Sequence, residues 1–259
     1  MSMFDRPRII PCLLIHHGQL VKTINFKNPN YLGDPINAVK IFNEKEVDEL
    51  CVLDISPYKD KQINYSLLGD MATEAFMPMS YGGGIRTLDE AKRLYHMGFE
   101  KVIINTAFIE NETLITEIAE FAGSQSVVVS IDVKKTGFLK KQECFIRCGT
   151  TRGKLMPVDA AQKAELLGAG EILLNSIDND GTMKGYDLEL VRAVCDATSI
   201  PVIACGGAGK LADLRRVVHE AGAHAAAAGS LFVYYGKKKA VLINYPTEQE
   251  MITAGIFND

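Results

Sequence analysis

The chain has 259 residues, of which 47% are hydrophobic and 23% charged, and its net charge is -4. This composition is that of an ordinary globular protein, and the balanced charge argues against a broad basic face for nucleic acid. No apolar run reaches the roughly 18 to 20 residues of a membrane span, and the first residues lack the apolar core of a signal peptide. We therefore predict a cytoplasmic protein that contacts neither membrane nor nucleic acid.

Short apolar runs rich in β-branched residues alternate eight times with longer amphipathic stretches, which is the pattern of a βα repeat. Thr87 and Glu90 have the spacing of a capping box at the start of one such stretch. The predicted strands are 8–15, 49–55, 76–81, 101–105, 126–132, 171–175, 200–204 and 224–228. The predicted helices are 34–47, 65–75, 87–98, 111–122, 157–168, 187–198 and 210–222.

Eight such units, with no linker rich in Pro, Gly or Ser, predict a single α/β domain over 1–259, a closed (β/α)8 TIM barrel. A doubly wound sheet usually stops at five or six strands. The one long insert is 134–156, where turn residues around Gly137 and Gly149 predict a β-hairpin or a flap. Because active sites of such barrels lie at the carboxyl ends of the strands, this insert is expected to hang over the site.

Neither a metal site nor a cofactor is predicted. The six cysteines lie mostly in apolar runs and are expected to be thiols, and the close pair Cys144 and Cys148 has no second pair nearby. The glycine run 82–84 lacks the context of a dinucleotide fingerprint. The basic run 237–239 is predicted to be solvated surface.

Two glycine loops repeat at a spacing of about 120 residues, which suggests two similar half-barrels. The run 82–85 after strand three matches 206–209 after strand seven, and 105–107 after strand four matches 229–231 after strand eight. A glycine loop lets backbone N–H groups approach an oxyanion, and a following short helix that starts with a small polar residue completes a phosphate cradle. We therefore predict two phosphate sites across the barrel mouth and a small-molecule ligand with an anion at each end.

The same comparison pairs the end of strand one with the end of strand five. Strand five ends on Asp132, whereas the matching position of strand one is Leu14, which cannot move a proton. General acid and base work needs two proton carriers, and the nearest alternatives are His16 and His17. Three further aspartates lie at strand ends and could hold a ligand or shape loops: Asp54, Asp178 and Asp180.

These motifs resemble the HisA/HisF family, and within it the cyclase subunit of imidazole glycerol phosphate synthase, over nearly the whole chain to about Phe232. The matching runs include 8–13, 33–35, 82–85, 104–107, 176–182 and 206–210. In that family a glutaminase docks on the amino-terminal face of the barrel, and ammonia passes through the core. The resemblance implies Asp132 as one catalytic carboxylate, and as phosphate-binding residues Gly83, Gly84, Asn105, Thr106, Gly181, Gly206, Gly207, Gly229 and Ser230.

The resemblance also assigns an ammonia gate. The family's ring of four charged residues at the ammonia entrance is matched by Arg8, Glu49, Lys101 and Glu171, each at the start of a predicted strand. Charges at the bottom of an apolar barrel are costly to bury unless they are paired, and two of each sign give a neutral set.

Two departures separate the chain from the ordinary cyclase. Leu14 replaces the family's first catalytic aspartate, and the segment 236–246 replaces its tail helix. This pattern is similar to that of HisF-like paralogues that accompany a HisH-like glutaminase and an N-acetyl sugar amidotransferase. There the barrel relays the ammonia that converts a sugar acetamido group into an acetamidino group in surface polysaccharide (lipopolysaccharide) pathways.

Three other functions stay open at this point. The chain could be a genuine cyclase of histidine biosynthesis that uses His16, His17 or water in place of the missing acid. It could be a non-catalytic scaffold whose cradles bind a bisphosphate. A sugar-phosphate isomerase fits less well, because that chemistry also needs a carboxylate on each half.

Overall fold

The structure is a computed structural model that describes residues 6–56, 62–236 and 238–257. In chain order the strands are β1 Arg8–His16, β2 Gln19–Ile24, β3 Lys27–Gly33, β4 Leu50–Asp54, β5 Met79–Gly82, β6 Lys101–Ile104, β7 Val127–Thr136, β8 Lys141–Ile146, β9 Thr151–Arg152, β10 Glu171–Ser176, β11 Val202–Cys205, β12 Ala225–Ala228, β13 Tyr234–Tyr235 and β14 Ala240–Val241. The helices are α1 Pro35–Glu44, α2 Tyr65–Thr73, α3 Leu88–His96, α4 Thr106–Glu110, α5 Thr113–Ala122, α6 Pro157–Leu166, α7 Leu188–Cys195, α8 Leu211–His219, α9 Ser230–Val233 and α10 Glu248–Thr253.

Eight parallel strands close into a barrel in the order β1, β4, β5, β6, β7, β10, β11, β12, and β12 pairs with β1. Helices lie between these strands, so the predicted (β/α)8 fold is confirmed. The helix that begins after Thr87 has the predicted capping box, in which the Thr87 side chain accepts a hydrogen bond from the Glu90 N–H. Among the described residues, no helix combines the length and the apolar character needed to cross a bilayer.

The core has two layers because alternate residues of each strand point inward and outward. Outward residues such as Ile9 and Val52 pack under the helices in the larger cluster. Inward residues fill the barrel itself as a second cluster: Ile10, Cys12, Leu14, Val21, Cys51, Ile103, Val128, Leu173, Ile203, Cys205, Ala225 and Ala227.

Two hairpins rise above the barrel mouth, not one. The insert 134–156 contains the end of β7 and the antiparallel strands β8 and β9. The expectation of one long insert was wrong, because β1 also continues into an antiparallel hairpin, β2 and β3. Its tip reaches the loop after β10, where the Asn25 N–H donates to the Asp180 carbonyl at 3.0 Å.

The tail follows the barrel wall from the mouth to the opposite face. β13 pairs with β14, and α10 follows, so a short helix is present after the segment 236–246. The Tyr245 hydroxyl donates to the Ile9 carbonyl at 2.8 Å, and Met251 is buried. In the basic run 237–239, Lys237 lies outside the described residues, whereas Lys238 and Lys239 are exposed, as predicted.

Candidate active site

A cavity of about 360 Å3 opens at the carboxyl ends of the barrel strands. Both hairpins contribute to its wall, through Phe26 from the loop between β2 and β3 and Cys148 from the loop between β8 and β9. The structure brings ten of the predicted site residues together around this cavity: Gly83, Gly84, Asn105, Thr106, Asp132, Gly181, Gly206, Gly207, Gly229 and Ser230.

The two glycine loops lie on opposite sides of this mouth, since β5 and β6 are across the barrel from β11 and β12. The residues before α4 and α9 share one backbone conformation, with φ and ψ of -116° and -76° at Asn105 and of -106° and -68° at Gly229. No side chain caps either helix. Backbone N–H groups of an uncapped first turn can bind an anion, so the two helix starts are compatible with the two predicted phosphate sites, which stay a prediction.

Asn105 differs from the other cradle residues because its side chain already has partners. Its Nδ2 donates to the Ser130 carbonyl at 3.0 Å and to the Phe145 carbonyl at 3.4 Å. The side-chain amide therefore ties the end of β6 to β7 and β8, and the part of Asn105 left to donate to a phosphate is its backbone N–H.

Close backbone approach explains two of the cavity glycines. A Cβ atom at Gly181, where φ is +69°, would lie 2.1 Å from the Thr23 carbonyl oxygen, and one at Gly207, where φ is +115°, would lie 2.1 Å from that of Gly185. Each glycine lets another segment cross the mouth at contact distance. The β2–β3 hairpin can therefore lie directly over Gly181.

Asp132 lies on β7 with only 8% of its surface exposed. The Ser130 hydroxyl donates to its Oδ1 at 3.2 Å. Burial raises the pKa of Asp132 to about 7, and the hydrogen bond from Ser130 opposes this shift only in part. A carboxyl group with this pKa can both accept and donate a proton near neutral pH.

Leu14 reaches the cavity from the opposite side of the barrel, on β1, and is also 8% exposed. Its register partners are Val21 on β2 and Leu53 on β4, so this side of the mouth is apolar at position 14. His16 lines the cavity at the end of β1, and burial together with the charge of His17 lowers its pKa.

The other aspartates at strand ends shape loops. Asp180 Oδ2 accepts hydrogen bonds from the Thr23 hydroxyl at 2.7 Å and the Phe26 N–H at 3.2 Å, and burial raises its pKa. Asp178 Oδ2 accepts from the Lys135 N–H at 2.8 Å. One loop therefore holds both hairpins. Asp54 Oδ1 accepts from the Ser56 hydroxyl and N–H at 2.6 and 2.9 Å.

Sequence reasoning missed Lys22, which lies on β2 and lines the cavity with 6% of its surface exposed. Its Nζ donates to the Cys12 carbonyl at 2.7 Å. The lysine stands in the middle of the run Gln19–Ile24, which is otherwise apolar and β-branched. A strand prediction on that run would have placed a cation among buried neighbours.

The four predicted gate residues form a closed ring at the amino-terminal end of the barrel. Arg8 Nη1 donates to Glu49 Oε2 at 2.5 Å, and Arg8 Nη2 donates to Glu171 Oε1. Lys101 Nζ donates to Glu49 Oε2 and to Glu171 Oε2, both at 2.9 Å. Burial lowers the pKa of Arg8, but the charges of Glu171 and Glu49 outweigh it and the net direction is upward. Each charge is therefore paired twice, as burial requires.

Among the described residues, no group of three or more His, Cys, Asp and Glu side chains has the arrangement of a metal site. The six cysteines all lie in the described part of the chain, and no disulfide joins any two of them.

Comparison with known proteins shows which family the chain is similar to. The model described as histidine biosynthesis protein matches residues 8–239. The chain is 51% identical over 246 residues to a protein of Leptospira interrogans and 52% identical over 242 residues to one of Pseudomonas aeruginosa. These alignments cover 95% and 93% of this chain, and 97% and 96% of the relatives. Both relatives bear provisional names as imidazole glycerol phosphate synthase subunits of the HisF type.

A third relative, from Lactococcus lactis, bears the same subunit name without that reservation. It is 45% identical over 228 residues, which are 88% of either chain.

Proposed function

Because the chain belongs to the histidine biosynthesis protein family and is HisF-like, we propose that it is the ammonia-channelling synthase subunit of a glutamine amidotransferase complex. A HisH-like glutaminase supplies the ammonia. The acceptor is a surface sugar whose acetamido group an N-acetyl sugar amidotransferase converts into an acetamidino group in the cytoplasm.

The observation that carries this proposal is the alignment of ring, apolar interior and cavity along one barrel. The charged ring closes the amino-terminal end, the cavity opens at the carboxyl end, and inward residues such as Ile10, Ile103 and Leu173 lie between them. Neutral ammonia enters an apolar interior at far lower cost than a charged ammonium ion does. The interior is therefore suited to a small neutral molecule.

The apolar wall around Leu14 favours a barrel that supplies ammonia over one that closes the imidazole ring of a substrate. General acid and base catalysis contributes on the order of 10² to 10⁴-fold per group, and this mouth carries Asp132 without a carboxylate at position 14. Ammonia delivery needs no proton carrier at that position.

Exposed apolar side chains around the ring support a partner on the amino-terminal face. Phe76 precedes β5, Phe121 ends α5 and Leu166 ends α6, and all three are exposed. Helices of a βα barrel run back against the strands, so these positions share the face that carries the ring. Exposed apolar side chains on one face are typical of a surface that a protein partner covers.

A glutaminase assay tests the proposal. The chain is mixed with a HisH-like glutaminase, and complex formation and glutamate release are measured with and without it. We expect a complex and faster glutamate release. Phe76→Asp should weaken the complex at least tenfold, because it places a charge in the interface. Phe138→Asp is the matched control, since Phe76 and Phe138 are 90% and 100% exposed and Phe138 lies on the β7–β8 turn at the other face.

Equal loss with both variants would point to a general effect of added charge and would contradict docking at the ring. Absence of both complex and stimulation would contradict the proposed function.

One observation favours a second candidate, a genuine cyclase of histidine biosynthesis. Burial raises the pKa of Asp132 to about 7, and Lys22 and His16 also line the cavity. These groups could share the proton transfers that the missing acid would perform. Turnover of the histidine-pathway ribonucleotide with ammonium distinguishes this candidate from the first.

A further inference from the structure

Three thiols meet inside the barrel, between the charged ring and the cavity. Cys51 follows Glu49 by two residues and Cys12 follows Arg8 by four, so both share the inward face of their strands with the ring residues. The Sγ atoms of Cys12 and Cys51 are 3.9 Å apart. Cys205, on β11, belongs to the same inward cluster.

Small molecules can reach Cys12 and Cys205 through the cavity, because both form part of its wall. Hydrogen bonds with Cys205 and Cys51 lower the pKa of Cys12 well below its ordinary value, although burial acts in the opposite direction, and the Lys22 ammonium adds to the lowering. The pKa of Cys51 is raised by its hydrogen bond with Cys12 and by burial. Cys12 is the nucleophile of the pair because it forms part of the cavity wall, whereas Cys51 lies behind it, and the lowered pKa favours the reactive thiolate at the same position.

The backbone lets Cys12 and Cys51 form a disulfide. They are register partners on the neighbouring parallel strands β1 and β4. Neighbouring strands lie about 4.8 Å apart, and disulfides need Cα atoms roughly 4.4 to 6.8 Å apart. Cys205 lies on β11, and β12 separates this strand from β1, which carries Cys12. The Cα atom of Cys205 is therefore roughly twice as far from that of Cys12 as the Cα atom of Cys51 is. Cys51 is therefore the partner.

We propose that Cys12 and Cys51 form an oxidisable dithiol site inside the barrel, which a small peroxide entering through the cavity converts into a disulfide.

The chemistry balances with one peroxide. The Cys12 thiolate attacks one oxygen of hydrogen peroxide and the O–O bond breaks, which gives a sulfenic acid at Cys12 and, with the proton released by the thiol, one water. The Cys51 sulfur then attacks the Cys12 sulfur and expels the sulfenic oxygen as a second water. Two thiols are oxidised by two electrons in total, and the peroxide is reduced.

The disulfide would replace a contact of 3.9 Å by a bond of about 2.05 Å across the interior wall. Along their own strands, Cys51 lies one inward residue above Glu49 and Cys12 two above Arg8, so the site lies between the ring and the cavity on the path that the proposed function assigns to ammonia. Its effect on ammonia passage rests on that proposed function, whereas the oxidation chemistry does not.

The test uses the full chain with Cys148→Ser, which removes the exposed thiol. The protein is treated with hydrogen peroxide, denatured in iodoacetamide and digested with trypsin. We expect a disulfide that joins the peptide 9–22 to the peptide 46–59. Dithiothreitol should separate the two peptides. Cys195 on α7 is the internal control, because burial raises its pKa to about 11 and it should stay a thiol that iodoacetamide alkylates.

A second variant separates the two steps. In Cys51→Val the register partner that resolves the sulfenic acid is absent and the backbone of Cys205 is too far for a disulfide, so dimedone should label Cys12 in the peptide 9–22. Glutathione added to the same sample shows that the peroxide is active. If the glutathione is oxidised and Cys12 and Cys51 are nevertheless both fully alkylated, the proposal is overturned. A disulfide of Cys12 with any other cysteine would also overturn it. Neither readout needs a partner or turnover, so failure of the glutaminase assay would leave this result standing.

Discussion

Asp132 and Leu14 face the same cavity from opposite strands, and their environments differ in one respect that matters. Asp132 keeps a hydroxyl partner in Ser130, whereas Leu14 is surrounded by Val21 and Leu53. A carboxylate that is nine-tenths buried and has no cation bonded to it costs free energy when it ionises. The protein therefore carries a destabilising charge at Asp132 above neutral pH.

The first prediction concerns stability and pH at this residue. Because the pKa of Asp132 is raised from 3.8 to about 7, its contribution to stability is complete below pH 4 and is lost as the pH rises through 7. Asp132→Asn removes this loss. The variant should exceed the parent at pH 8 by roughly 2 to 4 kcal/mol in urea unfolding, and the difference should shrink towards pH 4.

Asp89→Asn is the matched control, since it removes an exposed carboxylate on α3. Its effect should stay within the small range of surface pairs. A stability difference for Asp132→Asn that does not change with pH would contradict the buried ionisation.

Lys22 shows what the sequence leaves hidden at the scale of one residue. Its burial depends on the β2–β3 hairpin folding over the mouth, and that fold depends on contacts with residues more than 150 positions away, such as Asp180. Asp132 was predictable because it ends the apolar run 126–132 and because the repeat matches it with the end of strand one. Lys22 was missed because the run Gln19–Ile24 was not predicted as a strand, although its partner Cys12 lies only ten residues earlier in the chain.

Two hairpins share one loop as their anchor at the scale of elements. Asp180 binds the β2–β3 hairpin through Thr23 and Phe26, and Asp178 binds the β7 end through Lys135. The two carboxylates lie two residues apart in the loop after β10. This loop therefore sets the position of both walls of the cavity.

A second prediction follows because Asp180 and Asp178 bind different hairpins. Asp180→Ala should raise amide hydrogen exchange across β2 and β3 about tenfold, since two hydrogen bonds worth roughly 1 kcal/mol each are lost and compensated in part by water. Asp178→Ala should instead raise exchange at the end of β7 and leave β2 and β3 unchanged. Equal exchange changes in both hairpins with either variant would show that the loop acts as one unit.

The barrel strands and their helices were predictable because burial on both faces produces apolar runs and one-sided packing produces amphipathic helices. The predicted strand 76–81 starts too early, because Phe76 precedes β5 and is exposed. The β2–β3 hairpin was missed because β3 is almost entirely exposed. Exposed strands carry no apolar alternation, and their position comes from tertiary contacts.

The two halves of the molecule repeat one plan. In each half the first strand continues into a hairpin, β1 into β2 and β3, and β7 into β8 and β9. In each half the fourth barrel strand is followed by a short uncapped helix, α4 or α9. For this reason the sequence repeat could predict two matching loops at the mouth, and the same repeat places Leu14 opposite Asp132.

The ring and the inward cysteines illustrate what only the closed barrel provides. Arg8 and Glu171 are 163 residues apart in sequence, and they pair because the barrel closes. Family resemblance predicted the ring residues, whereas the thiol contact of Cys12 with Cys51 needs the strand register. Residue spacing along the chain predicts neither the contact of Arg8 with Glu171 nor that of Cys12 with Cys51.

The most direct test of the central claim, that this barrel carries ammonia and does not itself close the imidazole ring, is product formation with ammonium. The purified chain is given an ammonium salt and the histidine-pathway ribulosyl-formimino ribonucleotide, beside Leu14→Asp and Leu53→Asp. Leu53 is the register partner of Leu14 on β4 and also lines the cavity, so its variant controls for an added carboxylate. Circular dichroism confirms that each variant is folded.

We predict no turnover by the unmodified chain or by Leu53→Asp, and measurable turnover by Leu14→Asp, because the restored acid contributes on the order of 10² to 10⁴-fold. Clear turnover by the unmodified chain would contradict the account and make the protein a histidine-biosynthesis cyclase.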